Sequence, residues 1–132
     1  MISTAFVAYL KANLSNTRIY PVAAPNTTLP LITYEITSVI RSRHYEGGDV
    51  GSGLIETVFN LAAHGETALA CAQLIDEAIT LLENYRGLWT DTATSPNKTH
   101  YIADIEVGAE DQFFDAVSRH YSHALELSVS HD

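Results

Sequence analysis

The chain predicts an α+β fold: a mainly antiparallel sheet of about four to five strands with two helices packed on one face. Three observations lead there. Apolar residues recur at helical spacing at the start of the chain and again in its middle. Alternating runs rich in β-branched and aromatic residues fill most of the remainder. Prolines and glycines cluster between these runs and mark their ends. The 132 residues fit one domain, 1–132. A chain this long buries roughly two-thirds of its unfolded surface and folds without staples.

Ile2, Phe6, Tyr9 or Leu10, and Leu14 predict an amphipathic helix over 2–14, ended by the Asn13 to Asn16 cluster. Pro21, Pro25 and Pro30 follow; each fixes φ and removes a backbone donor, which keeps Tyr20 to Pro30 out of helices and central strands. Leu31 to Arg41 then reads as a strand with Ile32, Tyr34, Ile36, Ser38 and Ile40 on one face. Glu46 to Gly53 holds four glycines in eight residues and reads as a flexible loop. The next strand places Ile55, Thr57, Phe59, Leu61 and Ala63 on one side, so the two form a long hairpin.

The longest helix is predicted over about 66–85, with Leu69, Ala72, Ile75, Ile79 and Leu82 as its buried stripe and Gly87 as its stop. Leu88 to Thr90 can form a short strand before a polar loop. His100 to Val107 reads as a strand with Tyr101, Ala103, Ile105 and Val107 on one side, followed by a loop from Gly108 to Asp115. Val117 to Val129 closes the chain as a strand, with Tyr121, His123, Leu125, Leu127 and Val129 inward.

Sixteen acids against seven bases leave a net charge of −9. That balance argues against gripping nucleic acid, since Lys and Arg supply most non-specific affinity for phosphate. It fits a solvated acidic surface, or one that lets DNA pass without sticking. The lone Cys71 excludes an internal disulfide and reads as a small core residue without a basic neighbour. The start of the chain lacks a signal peptide's basic residues, and no apolar run approaches a membrane span, so the expected setting is a reducing cytoplasm.

Side-chain chemistry offers little for catalysis. His120 and His123 fall on opposite faces of their strand, and neither HxH nor HExxH spacing occurs, so no metal site is expected. Asp104 and Glu106 share a strand face, a spacing open to acid–base work. Yet a nucleophile elbow and a phosphate-binding glycine motif are missing. No catalytic residue and no cofactor is expected.

Several short pieces, taken together, resemble the tail-completion (tail-terminator, or tail-to-head joining) proteins of long-tailed bacteriophages. They are Arg18-Ile19-Tyr20-Pro21 with Ala24-Pro25, Leu29-Pro30-Leu31-Ile32-Thr33-Tyr34, and Val58-Phe59-Asn60-Leu61-Ala62-Ala63. Tyr85-Arg86-Gly87, Phe114-Asp115, Arg119-His120-Tyr121 and Ala124-Leu125-Glu126-Leu127-Ser128-Val129 complete the set, which spans nearly the whole chain. The stretch from Thr90 to Thr99 is longer than the family's usual exit from the helix. The resemblance implies a non-enzymatic virion part that stops tail-tube growth, usually as a hexameric ring, and meets the head. Its partners would be the tail-tube protein, a head-connector protein and further copies of itself, with DNA passing through unbound. It would assemble in the host cytoplasm and remain in the virion tail. The other readings are a small adaptor or regulatory binding domain and, behind it, a metal- or carboxylate-dependent enzyme.

For a ring-forming part, function lies in surfaces. The hairpin tip is expected to order against the tube or the next subunit, with Tyr45 as anchor and Arg43 and Asp49 beside it. Glu110, Asp111 and Asp115 surround Phe113 and Phe114, which would point to opposite sides. The three acids are expected either to face a lumen or to form a solvated turn.

Overall fold

A computed structural model describes residues 2–15, 18–21, 29–41, 55–92, 95–116 and 120–132. The elements are α1 (Ile2–Asn13), β1 (Ile19–Pro21), β2 (Leu31–Arg41), β3 (Ile55–Gly65), α2 (Ala68–Leu82), β4 (Gly87–Asp91), β5 (Lys98–Asp115) and β6 (His120–His131). The strands make one sheet in the order β1-β2-β3-β6-β5-β4. β1 runs parallel to β2, and every other neighbouring pair is antiparallel. The α+β class and the antiparallel centre match expectation. The sheet has six strands rather than four to five: β4 is the short strand expected at Leu88 to Thr90, and β1 adds one at the other edge. β1 escapes a sequence reading because it is three residues long and ends in Pro21. Proline is tolerated there because an edge strand can leave one donor unused.

Both helices bury their apolar stripes in one core. Ala5, Phe6 and Leu10 come from α1, and Cys71, Ile75, Ala78 and Leu82 from α2. They meet Phe59, Leu61 and Ala63 of β3 and Leu125, Leu127 and Val129 of β6. The centre is aromatic: Phe6 stacks on Phe59 at 4.3 Å, and Trp89 lies 5.3 Å from Phe6 and 5.5 Å from Tyr9. One polar clasp joins the helices. The Ser15 N–H and hydroxyl donate to the two carboxylate oxygens of Glu77, at 2.6 and 2.8 Å.

α2 is shorter than predicted and rotated. Its first turn is capped by Thr67 Oγ1, which accepts the Ala70 N–H. Leu69, expected on the buried stripe, is 68% exposed, while Cys71 is buried with its thiol donating to the Tyr121 carbonyl. Apolar residues border the stripe on both sides, so periodicity alone did not fix its centre. Nor does Gly87 stop the helix; it begins β4. Asn84 takes the left-handed conformation (φ 60°), and its N–H donates to Ile105.

Three bulges change which side chains share a face. A register shift between Ile36 and Ser38 leaves Ile32, Tyr34 and Ile36 on the helix side but sends Ser38 and Ile40 to the other. In β5 a shift between Ile102 and Asp104 makes Ile102 and Ile105 the buried pair and leaves Tyr101 48% exposed. A further shift between Val107 and Glu110 absorbs Gly108 and lets the strand run on. The expected loop from Gly108 to Asp115 is therefore the second half of β5, held against β6 along its length.

Candidate assembly surfaces

The expected tip anchors Arg43, Tyr45 and Asp49 lie outside the described residues. Glu110, Asp111, Phe113, Phe114 and Asp115 all lie on β5, and strand geometry separates them. Residues opposite one another across a ladder share a face, so Glu110 and Phe114 join Leu125 and Tyr121 on the helix side. Asp111, Phe113 and Asp115 share the other face with Ala124, Ser122 and His120. The three acids thus do not form one acidic turn. Glu110 Oε1 sits 3.3 Å from His123 Nε2, and the Phe114 ring packs 4.7 Å from Tyr121. Phe113 and Phe114 remain 58% and 55% exposed, so both are available to a partner.

The face away from the helices has a charge pattern that no single stretch of sequence displays. Glu35 of β2, Glu56 of β3, Glu126 of β6 and Asp104, Glu106 and Asp111 of β5 all lie on it by register. Among the described strand residues of that face there is no Lys or Arg. Arg41 and Lys98, the basic residues within strands, pair with Ile55 and Asp91 and belong to the helix side. A recess of about 150 Å³ opens on the acidic face, bounded by Asn60, Ala109, Asp111, Phe113, Ala124 and Glu126.

Both sheet edges are open over long stretches. β1 covers only Ile32 to Tyr34 of β2, so no described strand pairs with the outer side of Glu35 to Arg41. Ile36, Val39 and Ile40 are 39%, 47% and 53% exposed there. On the opposite edge β4 covers β5 only as far as Ile102, and the Asn84 N–H takes the Ile105 carbonyl. Beyond that, Glu106 to Phe114 has no outer neighbour among the described strands.

Two of the described histidines tie strands together. His64 reaches Thr33 Oγ1 at 2.9 Å and Ser122 Oγ at 3.0 Å, tying β2, β3 and β6 together. Burial, then the nearby His120, holds its pKa below the ordinary histidine value. His131 bonds Thr57 and the Asp132 main-chain oxygen, at 2.8 and 2.9 Å. His100 is buried with neither ring nitrogen bonded, and burial followed by the charge of Lys98 lowers its pKa. Burial raises the pKa of Cys71. Among the described residues, no three His, Cys, Asp or Glu side chains converge to hold a metal ion. No described helix is long and apolar enough to cross a membrane. Asp104 and Glu106 share a face as their spacing predicts, beside Ser130 and Ser128 on the open sheet rather than in an enclosed cleft.

No protein-family model matches this chain, and a search of the curated proteins finds no significant match.

Proposed function

We propose that the chain is a structural part of a long-tailed bacteriophage virion: a tail terminator that caps the tail tube as a ring, a hexamer in the family it resembles. In this reading it also forms the surface that meets the head-connector protein. It assembles in the host cytoplasm and stays in the virion tail. The observation that carries the reading from the fold is the acidic face, with its carboxylates from four strands and no Lys or Arg among its described strand residues. Turned toward a lumen, such a face repels phosphate and leaves passing DNA free to move. The whole-chain resemblance supplies the tail-specific part, and the two open edges supply surfaces for self-association.

The test is negative-stain electron microscopy of gold-labelled protein mixed with polymerising tail tubes. Label confined to one tube end, with growth arrested there, is the expected result. Bare, elongating tubes would remove the reading. A second reading, a small adaptor domain, draws on the recess beside the exposed Phe113, which suits a partner's side chain.

A further inference from the structure

We infer that the open edge of β2, Glu35 to Arg41, pairs with the open edge of β5, Glu106 to Phe114, of a second copy of this chain, continuing the sheet from subunit to subunit. The inference rests on the self-association in the proposed ring and names the surface that makes it. An edge strand turns alternate N–H and C=O groups outward, and proteins normally blunt such an edge with Lys, Pro or a covering segment. The outer half of β2 has neither Lys nor Pro and exposes three β-branched residues, Ile36, Val39 and Ile40. Its seven residues span about 23 Å at ~3.3 Å each, which fits within the longer partner edge.

Direction and charge select the occupant. Successive antiparallel pairs make β2 and β5 of one sheet run in opposite senses, so a head-to-tail neighbour brings the two edges together antiparallel. Like edges fit less well. A β5–β5 contact would bring the acid-rich stretch from Glu106 to Asp111 against its own copy, while β2 carries Arg41, which makes no ion pair among the described residues. One register keeps faces matched across the junction, with the bulge at Thr37 taking up the extra residue of β2. Arg41 lies opposite Glu110, Val39 opposite Gln112 and Ile36 opposite Phe114, all on the helix side. In that register the neighbour's β5 ends with Asp115 beside Glu35, one like-charge pair at the end of the contact, and β1 takes over the edge at Tyr34, so neither flanking strand obstructs it.

Disulfide trapping tests this with full-length protein. Val39→Cys and Gln112→Cys variants are mixed under oxidising conditions, each also incubated alone; buried Cys71 stays in place as an internal control. A linked dimer is expected from the mixture and from neither variant alone. Arg41→Glu or Glu110→Arg, added to the respective Cys variants, should each cut the yield about fivefold, the upper range for an exposed ion pair, and the two together should restore it. That restoration separates a lost contact from a damaged fold. A dimer from Val39→Cys alone, or none from the mixture at about 1 mM protein, overturns the inference. The tail reading is scored separately. Linked dimer with uncapped tubes removes the tail role and keeps the contact; capped tubes without linked dimer do the reverse.

Discussion

Acid should weaken this fold well above the carboxylate range, and His100 should account for much of the loss. The imidazole is 5% exposed, lies beside Trp89 in the ladder, and has neither nitrogen bonded. The described groups facing it are Lys98, His131 (ring centroids 5.9 Å apart) and Asp132. Burial first, then Lys98 and His131, favour the neutral ring; among the described groups only Asp132 opposes them. With the folded pKa depressed, the unfolded chain binds the extra proton, so stability rises with pH and falls as pH drops through about 6.5. If the folded protein stays neutral at this site, the loss approaches ~1.4 kcal/mol by one unit below that value. For a domain of this size the loss lowers Tm by about 5 °C. Thermal unfolding between pH 7.5 and 5.5 measures it. His100→Phe should remove that share of the pH dependence. It should also raise stability at neutral pH by about 1 kcal/mol, since two unpartnered polar atoms leave the core. A variant with the wild-type pH slope would refute the reasoning.

Phe6→Ala should cost about 3–5 kcal/mol in chemical denaturation, because the ring is fully buried and stacked on Phe59. Leu69→Gln, which sequence periodicity would count as a core mutation, should change stability by less than about 0.5 kcal/mol. Glu77→Gln should cost about 1–2 kcal/mol by weakening the paired bonds from Ser15, with little further loss on adding Ser15→Ala in a double-mutant cycle. If the tail reading holds, reversing Glu56, Asp104 and Glu126 to Lys, all on the acidic face but outside the two edges, should leave tube capping intact but slow DNA delivery in a complementation assay. Unchanged delivery would show that this face does not line the DNA path.

How much the sequence revealed depends on where the alternation is interrupted. β3 and β6 are unbroken, and their inward residues, from Thr57 to Ala63 and from Tyr121 to Val129, are those the pattern predicts. β2 and β5 each follow the pattern as far as a bulge and then exchange faces. A single extra residue has that effect in a strand, and no composition signal marks Thr37 or Ala103 as the extra one. Gly108 did signal irregularity, but as a break in a loop, whereas it is accommodated in a strand where a Cβ would meet the Glu126 carbonyl oxygen at 3.3 Å.

The same bulges explain why the surfaces were only half legible. Phe113 and Phe114 were expected to point to opposite sides, one inward and one toward a partner; they do take opposite faces, but both are exposed. The acidic face was not recognisable, because its carboxylates come from four strands that lie far apart in sequence and are aligned only by register. Nor was the open edge of β2. Ile36 and Val39 look like core residues, and they have the right facing for it after the bulge. They are exposed because the helices' buried stripes end over the centre of the sheet and β1 stops at the register of Tyr34. An apolar strand that is correctly faced but covered by no other described element is the feature that a neighbouring subunit would complete.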